Sequence, residues 1–506
     1  MDYEIAAPKA STLVESLRGV GYSAATAIAD LIDNSISAGA QNVWLRFNFD
    51  GPASTISILD DGRGMSGDGL RRAMVLGASN PLGSRQSADL GRFGLGLKTA
   101  SFSQCRCLTV ASRHDSQTAV RRWDLDYLAQ SGASDWRLLM AARLGSERHL
   151  QPLHELATGT IIVWEVLDRI TAGYRSGERK SEDAFYAVAS EIDAHLGLVF
   201  HQFLEGHGAA LRIFINGQRV KSWDPFMRFH PATESTPPEV VSTTSGKVEL
   251  QGFVLPHRDK LTDDENLRGG GSEGWAASQG FYVYRARRLM VAGGWLGLGV
   301  PRQWTMEEPY RLARLRLEFE NSADADWDID VKKSVARPPR VLRPRLSDLA
   351  NIVREKAIRV FAHRGNYGAR TAVAEVVPAW ESGSVGSRQG HRVNRKHPVV
   401  QQALQAAGDQ AAIVEAALRI IEVTVPVERI WLETAERGEV KEAPTGLEAP
   451  AEIVAIARAL VNRWTGKIGM TLPHALEQLS KTAPFQMYPG IARQLQVFGH
   501  STGTDK

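Results

Sequence analysis

Two polar residues near the start of the chain have the types and the spacing to handle a proton and a metal ion. Asp30 and Asn34 are four positions apart, so a helix would carry both side chains on one face. A carboxylate and an amide placed together can orient a water molecule and hold Mg²⁺, which prefers oxygen ligands. Asp33 would lie about 60° from Asp30 around the same helix. The alternative is a solvated helix face with no chemical role.

A further acidic residue, Asp60, ends a predicted strand in "LDDGRGMS" and begins a D-x-G-x-G pattern with Gly62 and Gly64. A carboxylate at a strand end can accept a hydrogen bond from an exocyclic amine such as that of adenine. The glycines would let the backbone approach a flat ligand closely. Thr160, at the start of the strand-like stretch "TGTIIVWEV", could bring its hydroxyl to the same ligand. Taken alone, D-x-G-x-G is more often an ordinary turn.

The stretch "GRFGLGLKTASF" at 91–102 places Gly91, Gly94 and Gly96 directly before a predicted helix. Glycines lose much conformational entropy on folding, so such a run suggests backbone that approaches a phosphate at a helix N-terminus. The run lacks the Lys-Ser/Thr ending of a P-loop and the glycine spacing of a dinucleotide-binding fold. An ordinary glycine-rich turn is the alternative.

Alternating helical and strand-like patterns surround these residues and predict how they are positioned. Ser23 suits the N-cap of a helix over 23–40, which would carry Asp30 and Asn34. Predicted strands cover 42–49, 54–61, 106–113, 119–127 and 159–167, and predicted helices cover 66–77, the residues after the glycine run and the region near 181–204. The polar segment 78–89 is predicted to be a loop.

The rest of the chain contains a strand-rich region and then a helical one. Strand patterns recur over 209–336, interrupted by two long polar segments, 229–246 and 257–279, that we predict to be mobile loops. A basic helix is predicted over 343–364, followed from about 366 by a Gly/Ser/Arg-rich linker and helical patterns. We therefore expect domains at 1–204, 205–365 and 366–506.

The composition is that of a soluble globular protein, with 506 residues of which 43% are hydrophobic and 23% charged. An apolar stretch long enough to cross a membrane is absent from the sequence, and the start "MDYEIAAPK" does not resemble a signal peptide, so we expect a cytoplasmic protein. Cys105 and Cys107 lack a second ligand pair for zinc and should be reduced, buried thiols. The net charge of +3 leaves nucleic-acid binding open.

In their order and spacing, D-x-x-x-N, D-x-G-x-G, G-x-x-G-x-G and G-T resemble the Bergerat fold of the GHKL ATPase superfamily. That superfamily includes gyrase-type topoisomerases, heat-shock chaperones, MutL, histidine kinases and MORC proteins. The stretches "GYSAATAIADLIDNSISAGA", "DDGRGMS" and "GRFGLGLKTASFS" are most similar to MORC ATPases and their bacterial MutL-like relatives, over about residues 5–365. The resemblance implies an α+β chain: a Bergerat-fold α/β sandwich ATPase domain, a transducer domain and a mostly helical C-terminal region.

The same resemblance implies ATP and Mg²⁺ as cofactors and assigns roles residue by residue. Asn34 would ligate Mg²⁺, Asp60 would bind the adenine amine, and Thr160 would support that contact. The other residues implied to bind ATP are Gly62, Gly64, Gly91, Arg92, Phe93, Gly94, Leu95, Gly96, Leu97 and Lys98. Residues 78–90 would form a lid over the nucleotide.

The position of the general base departs from the family pattern. Members of the superfamily usually carry a glutamate there, whereas this chain has Asp30, which is one methylene shorter. Aspartate can perform the same proton transfer if the backbone or a bridging water makes up the reach. We therefore expect slow ATP hydrolysis, with binding but no hydrolysis as the alternative.

The transducer of related proteins donates a basic side chain to the γ-phosphate. In "DWDIDVKKSVARPP", strand alternation runs through Val331 and would send only one of the next two lysines inward. We predict that Lys333 is this second catalytic residue, with Lys332 as the alternative. A solvated lysine pair is the other interpretation.

Several basic segments suggest contact with DNA. They are "RPPRVLRPR" at 337–345, "SRQGHRVNRKH" at 387–397 and the group Arg285, Arg287 and Arg288, although a surface charge run commonly explains any one of them. The segment "DQAAIVE" at 409–415 resembles the metal site of MutL endonucleases. It has Ala411 in place of the histidine ligand and Ile420 five residues past Glu415, so we expect this chain to have no nuclease activity.

The resemblance implies an ATP-dependent homodimer that closes as a clamp around DNA or a partner protein. For bacterial members it implies work beside restriction-modification or antiviral defence enzymes, with nuclease or helicase partners. The alternative is a heat-shock-type remodelling chaperone, which would need a long client-binding middle segment. We do not expect a sensor histidine kinase, because about 29 residues precede Asp30, nor a topoisomerase subunit, because nothing after 366 resembles a DNA-cleaving domain.

Overall fold

The computed structural model describes residues 9–19, 21–77, 96–130, 136–206, 211–243, 246–300, 302–320, 327–329, 336–362, 377–385, 388–424, 449–485, 488 and 490–497. The chain forms two compact units, Met1–Gly365 and Asn366–Lys506. Helices and strands are mixed in an α+β arrangement, which agrees with the predicted fold class. The division into three domains stays a prediction.

A sheet of seven strands organises the first part of the larger unit. Its strands are β1 (Asn42–Asn48), β2 (Thr55–Asp60), β3 (Cys107–His114), β4 (Gln117–Asp124), β5 (Gly159–Glu165), β6 (Arg212–Ile215) and β7 (Gln218–Arg219). They lie in the order β4-β3-β5-β2-β1-β6-β7, and the pairs are antiparallel except for β1 with β6. Asp60 thus ends an interior strand, with β5 on one side and β1 on the other.

Helices cover one face of this sheet. They are α1 (Ala10–Arg18), α2 (Ala24–Ser37), α3 (Gly67–Met74), α4 (Gly96–Phe102), α5 (Leu125–Gln130), α6 (Arg179–Val199) and α7 (His201–Leu204). The helix α2 begins as predicted, because the Ser23 side chain accepts a hydrogen bond from the Thr26 backbone N–H at 3.2 Å. Ile28 and Ile32 of α2 share one core with Ile56 and Ile58 of β2.

A 3₁₀ segment, Glu147–Glu155, covers part of the other face. Its Leu150 and Leu153 pack with Leu59 of β2 and with Ile161 of β5. The strand β2 is therefore buried on both sides, and the side chain at its end lies in a largely dry environment.

A second sheet and a long helix form the rest of the larger unit. The strands are β8 (Glu234–Ser235), β9 (Glu239–Thr243), β10 (Gly246–Val254), β11 (Gly280–Arg285), β12 (Arg288–Ala292) and β13 (Ala313–Phe319), in the order β12-β11-β13-β10-β8 with β9 also paired to β10. The helices are α8 (Asp263–Gly270), α9 (Gly274–Ala277) and α10 (Arg343–Ala362), and β14 (Asp328–Ile329) pairs with β15 (Ala336–Arg337). Leu346 and Val353 of α10 lie in the core of this sheet.

The prediction of two long mobile loops in this region is wrong. The segment 229–246 contains β9, which pairs with β10 over five residues. The segment 257–279 contains α8, whose first turn is held by a capping box between Thr262 and Glu265. Each segment therefore contains regular secondary structure, which satisfies part of its backbone hydrogen-bonding groups.

The smaller unit is mostly helical, as predicted. Its helices are α11 (Pro398–Ala406), α12 (Ala411–Thr424), α13 (Ala451–Gly466), α14 (Leu472–Ser480) and α15 (Ile491–Val497). A hairpin of β16 (Trp380–Val385) and β17 (Arg388–Val393) lies where the sequence predicts a linker. Leu460, Trp464, Leu479 and Phe485 form part of its core.

Both cysteines are free and buried, in agreement with the predicted reduced thiols. Cys107 begins β3, and Cys105 lies just before it. Within the part of the chain that the structure describes, the helices are too short or too polar to cross a membrane.

Candidate functional site

The helix α2 presents its acidic residues and its amide to different surroundings. Asp30 is 4% exposed and Asp33 is fully buried, whereas Asn34 is exposed to solvent. Asp30 and Asn34 lie one turn apart on the same side of the helix. The structure thus places a shielded carboxylate next to an accessible amide.

Two neighbouring segments approach Asp30. The Tyr22 hydroxyl donates to Asp30 Oδ2 at 3.0 Å, and the Tyr22 carbonyl accepts from Gln104 Nε2 at 3.1 Å. A Cβ built on Gly96 would lie 3.8 Å from Asp30 Oδ2, so the first residue of α4 is close to this carboxylate. The end of the glycine run and the D-x-x-x-N motif therefore meet at Asp30.

An arginine from the second sheet also reaches the acidic residues of α2. Arg288 Nη2 lies 3.7 Å from Asp30 Oδ1, and Arg288 Nε lies 3.3 Å from Asp33 Oδ2. All three side chains are at most 6% exposed. Two carboxylates buried one turn apart would repel each other, and the guanidinium between them offsets this repulsion.

This arrangement corrects one argument drawn from the sequence. Arg285, Arg287 and Arg288 were expected to add to a basic surface for DNA, but Arg285 is 3% exposed and Arg288 is 5% exposed. Only Arg287 of the three lies at the surface. A basic pattern along a strand does not reveal that one guanidinium is neutralised by residues far away in the chain.

Asp60 is held by α2 and by the turn that follows it. The Ser35 hydroxyl donates to Asp60 Oδ2 at 2.9 Å, and the Gly62 N–H donates to Asp60 Oδ1 at 2.9 Å. Burial raises the pKa of Asp60 to about 6, although these two hydrogen bonds lower it. A further donor to this carboxylate would stabilise its charged form.

The adjacent carboxylate, Asp61, binds backbone groups of a neighbouring loop. Its Oδ1 accepts from the backbone N–H groups of Gln41 and Asn42, each at 2.8 Å. These bonds tie the end of β2 to the connection between α2 and β1. The acidic pair in "LDDG" therefore contains one inward carboxylate and one that stabilises a loop.

The two glycines of D-x-G-x-G are required by protein packing in the structure. Gly64 has φ of +65°, and a Cβ there would lie 2.0 Å from the Arg113 carbonyl oxygen. A Cβ on Gly62 would lie 2.8 Å from the Ala38 Cβ and 2.9 Å from Asp60 Oδ1. The sequence analysis explains these glycines by the close approach of a ligand. The structure adds a second reason, because neighbouring protein atoms leave no room for a Cβ at either position.

Thr160 lies directly beside Asp60, because the two residues are paired in the register of β2 and β5. Its hydroxyl is 2.9 Å from Ser112 Oγ, and Ser112 Oγ also accepts from the Met65 N–H at 2.8 Å. The hydroxyl pair thus fixes the segment that follows D-x-G-x-G against β3 and β5.

Part of the glycine run can be placed. Gly96 and Leu97 are half-buried, while Lys98 is 3% exposed and donates from Nζ to the Ala73 carbonyl at 2.9 Å. Burial lowers the pKa of Lys98 to about 8. Gly91, Arg92, Phe93, Gly94, Leu95, the predicted lid 78–90 and both Lys332 and Lys333 lie outside the described residues.

The structure brings α2, the end of β2, the start of α4 and the start of β5 to one place. The residues that sequence reasoning missed there are Tyr22, Ser35, Ser112 and Arg288. Ser35 lies on the same helix as Asp30 and Tyr22 lies just before that helix, so their nearness to Asp30 in the chain was a usable signal. Arg288 carries no such local signal.

Comparison with known proteins gives one family match. Residues 22–160 match the family described as histidine kinase-, DNA gyrase B-, and HSP90-like ATPases. No curated protein matches the chain. The matched segment begins at Tyr22 and ends at Thr160, so it spans each of the residues that meet around Asp30 and Asp60 except Arg288. Residues 22–160 therefore form a GHKL-type ATPase domain.

Proposed function

We propose that this protein binds ATP with Mg²⁺ at the site between α2, β2 and α4, hydrolyses it slowly, and uses it to close a homodimeric clamp on DNA. The observation that carries the proposal is the continuity of α2, which bears Asp30, Asn34 and, through Ser35, a hydrogen bond to Asp60. One rigid helix would then relate the base, the metal ligand and the adenine acceptor.

Recognition of adenine is supported by the surroundings of Asp60. The carboxylate is buried, accepts hydrogen bonds from the Ser35 hydroxyl and the Gly62 N–H, and has acceptor capacity beyond these two. An exocyclic amine donates, and would stabilise the ionised form whose burial is costly. Thr160 would support this contact from the neighbouring strand.

The donor set also suits a magnesium ion. Asn34 supplies an amide oxygen at an exposed position, where the ion could keep several of its waters. When bound, the ion would neutralise charge on the phosphates. Asp30 would take the proton of the attacking water while the water oxygen bonds to the γ-phosphorus and the bond to the bridging oxygen breaks.

The phosphates would be held by the backbone of the glycine run, at Gly91, Phe93, Gly94 and Gly96, with Arg92, Leu95 and Leu97 alongside them. Lys98 would add charge, and Lys333, or alternatively Lys332, would reach the γ-phosphate from the transducer. These assignments rest on the resemblance to MORC and MutL-like ATPases.

Contact with DNA is supported by a reduced set of basic residues. Arg337, Arg340 and Arg343 are exposed. Arg345 forms an ion pair with Glu239 at 2.5 Å, and Arg395 pairs with Glu415 at 2.9 Å, so the charge of both is partly compensated. We place the protein in the cytoplasm of a bacterium, in restriction-modification or antiphage defence, beside a nuclease or helicase partner.

Sizing by light scattering with a non-hydrolysable ATP analogue tests the clamp. We expect a doubled mass with the analogue and Mg²⁺ but not with ADP, and retention on circular but not on linear DNA after a salt wash. Asn34→Ala is the control that should stay monomeric.

A monomer under all conditions would contradict the clamp. Prevention of client aggregation without DNA retention would replace it with the chaperone alternative.

A further inference from the structure

We propose that Arg288, at the tip of the β11–β12 hairpin, is a positioning residue that orients Asp30 and keeps it ionised, so that the second sheet governs hydrolysis in the ATPase domain. This inference rests on the proposed role of Asp30 as the general base. It assigns a function to a residue that lies outside the matched segment 22–160.

The first support is the geometry of the ion pairs. The Arg288 guanidinium spans the two carboxylates, with 3.7 Å to Asp30 Oδ1 and 3.3 Å to Asp33 Oδ2. Its Nη1 donates to the Leu289 carbonyl at 2.7 Å, which leaves Nε and Nη2 for the acidic residues. A positive charge within this range favours the ionised form of a carboxylate, and the low exposure limits screening by solvent.

The second support is the way the hairpin tip is held. Ala286 and Arg287 have φ of +47° and +70°. Residues other than glycine, asparagine and aspartate rarely adopt this backbone conformation. The Ala286 N–H donates to the Phe319 carbonyl at 3.1 Å, and the Arg287 N–H donates to Glu318 Oε1 at 3.0 Å. Such a turn persists only when its surroundings determine it.

The tip also rests on α7 and on Phe200, the residue before it. The Arg287 guanidinium lies 4.8 Å from the centre of the Phe203 ring of α7, and it donates to the Gln202 carbonyl. Arg288 lies 5.9 Å from the centre of the Phe200 ring. The side chain next to the turn is thus directed to α2 by contacts on both sides, and a shift of the second sheet would move the guanidinium relative to Asp30.

Other polar groups among the described residues also face this pair. Tyr22 donates to Asp30 from the segment before α2, and Asp33 is the like charge on the same helix. From α6, His195 faces Arg288, and burial together with that guanidinium lowers the pKa of His195 to about 4, so it is neutral near pH 7. From α4, the Lys98 ammonium is bound to the Ala73 carbonyl.

The test is the pH dependence of ATP hydrolysis in the full chain. Arg288→Met removes the charge and keeps much of the length, and Arg288→Lys restores a charge. Arg287→Met is the matched control, because it lies on the same tip and makes no ion pair with α2. Asp33→Asn changes the charge around Asp30 in the opposite sense, since it removes a neighbouring negative group while Arg288 remains.

For Arg288→Met, we expect the acidic limb of the rate profile to move up by about one pH unit or more. On the plateau, kcat should fall about tenfold through lost orientation, with KM for ATP changed less than about threefold. Arg288→Lys should recover part of both effects. Asp33→Asn should move the limb to lower pH, and Arg287→Met should leave the position of the limb unchanged, because Arg287 contributes no charge next to Asp30.

Two results would overturn the inference. One is an Arg288→Met protein with the parent's pH profile; the other is a limb that moves in the same direction in Arg288→Met and Asp33→Asn. If Arg288→Met does not fold, the double variant Arg288→Met with Asp33→Asn removes one of the two uncompensated charges, and its profile is compared with that of Asp33→Asn. A parent protein without ATPase activity, or an active Asp30→Ala, would instead defeat the proposed function.

Discussion

The Ser35 hydroxyl donates to Asp60 Oδ2 over 2.9 Å, which joins the helix of the proposed base to the strand end of the proposed adenine acceptor. Asn34, the residue before Ser35, faces solvent. Under the proposed function, these consecutive positions of α2 would serve the metal ion and the adenine acceptor. A change that displaces α2 should affect metal binding and adenine recognition together.

Asp60→Asn should weaken ATP binding by about 2–3 kcal/mol, because the amide can present a donor where the adenine amine needs an acceptor. Isothermal calorimetry would measure this loss. Asp61→Asn is the comparison, because it disturbs the hydrogen bonds to Gln41 and Asn42. It should lower the unfolding temperature and leave the affinity for ATP nearly unchanged. Equal affinity of the parent for ATP and GTP would argue against Asp60 as the reader of adenine.

The raised pKa of Asp60, about 6 against an ordinary value of 3.8, has a definite sign for stability. The native state binds more protons than the unfolded state between these values. The contribution of Asp60 to stability is thus present below about pH 4 and is lost as the pH rises through about 6. In Asp60→Asn, this part of the pH dependence of unfolding should disappear.

ATP binding should show the opposite trend, because the adenine amine needs the ionised carboxylate. Below about pH 6 we expect the dissociation constant of the parent to rise by up to about tenfold per pH unit. In Asp60→Asn, only the titration of other groups, such as the phosphates of ATP, should affect binding. The pH dependence of its dissociation constant is therefore the baseline for the parent. Parallel pH dependences in the two proteins would mean that Asp60 does not titrate against the ligand.

Arg354 of α10 should contribute strongly to the stability of the second sheet. Its guanidinium carbon lies 3.9 Å from the ring centre of Tyr310, 4.2 Å from Trp304 and 4.9 Å from Trp295. Removing these contacts in Arg354→Ala should cost about 2–3 kcal/mol of unfolding free energy in urea titrations. Arg359, on the same helix, is 74% exposed and pairs with Glu355 at 3.8 Å, so Arg359→Ala should cost little.

The local parts of the fold were predictable from the sequence. Ser23 marked the start of α2, and the alternation of apolar residues marked β1 and β2, because these signals act within a few residues. The same kind of signal is present at Thr262 and Glu265, where Thr-x-x-Glu forms the capping box of α8. Composition alone suggested a loop there.

The interior of the site was only partly predictable. Asp30 and Asp60 stand out by their motifs, but the pairing of Arg288 with Asp33 joins residues 255 positions apart. A contact of this kind depends on how two sheets pack, and no periodicity in either segment encodes it. The buried state of Arg285 and Arg288 was missed for the same reason.

The hydrolysis of ATP by the parent and by Asp30→Ala tests the central claim most directly. We expect the parent to release phosphate slowly in the presence of Mg²⁺. Asp30→Ala should bind ATP within about threefold of the parent and hydrolyse it at least about a hundredfold more slowly, because the base is lost while Asn34 and Asp60 remain. Phosphate release from Asp30→Ala at the parent's rate would contradict the account.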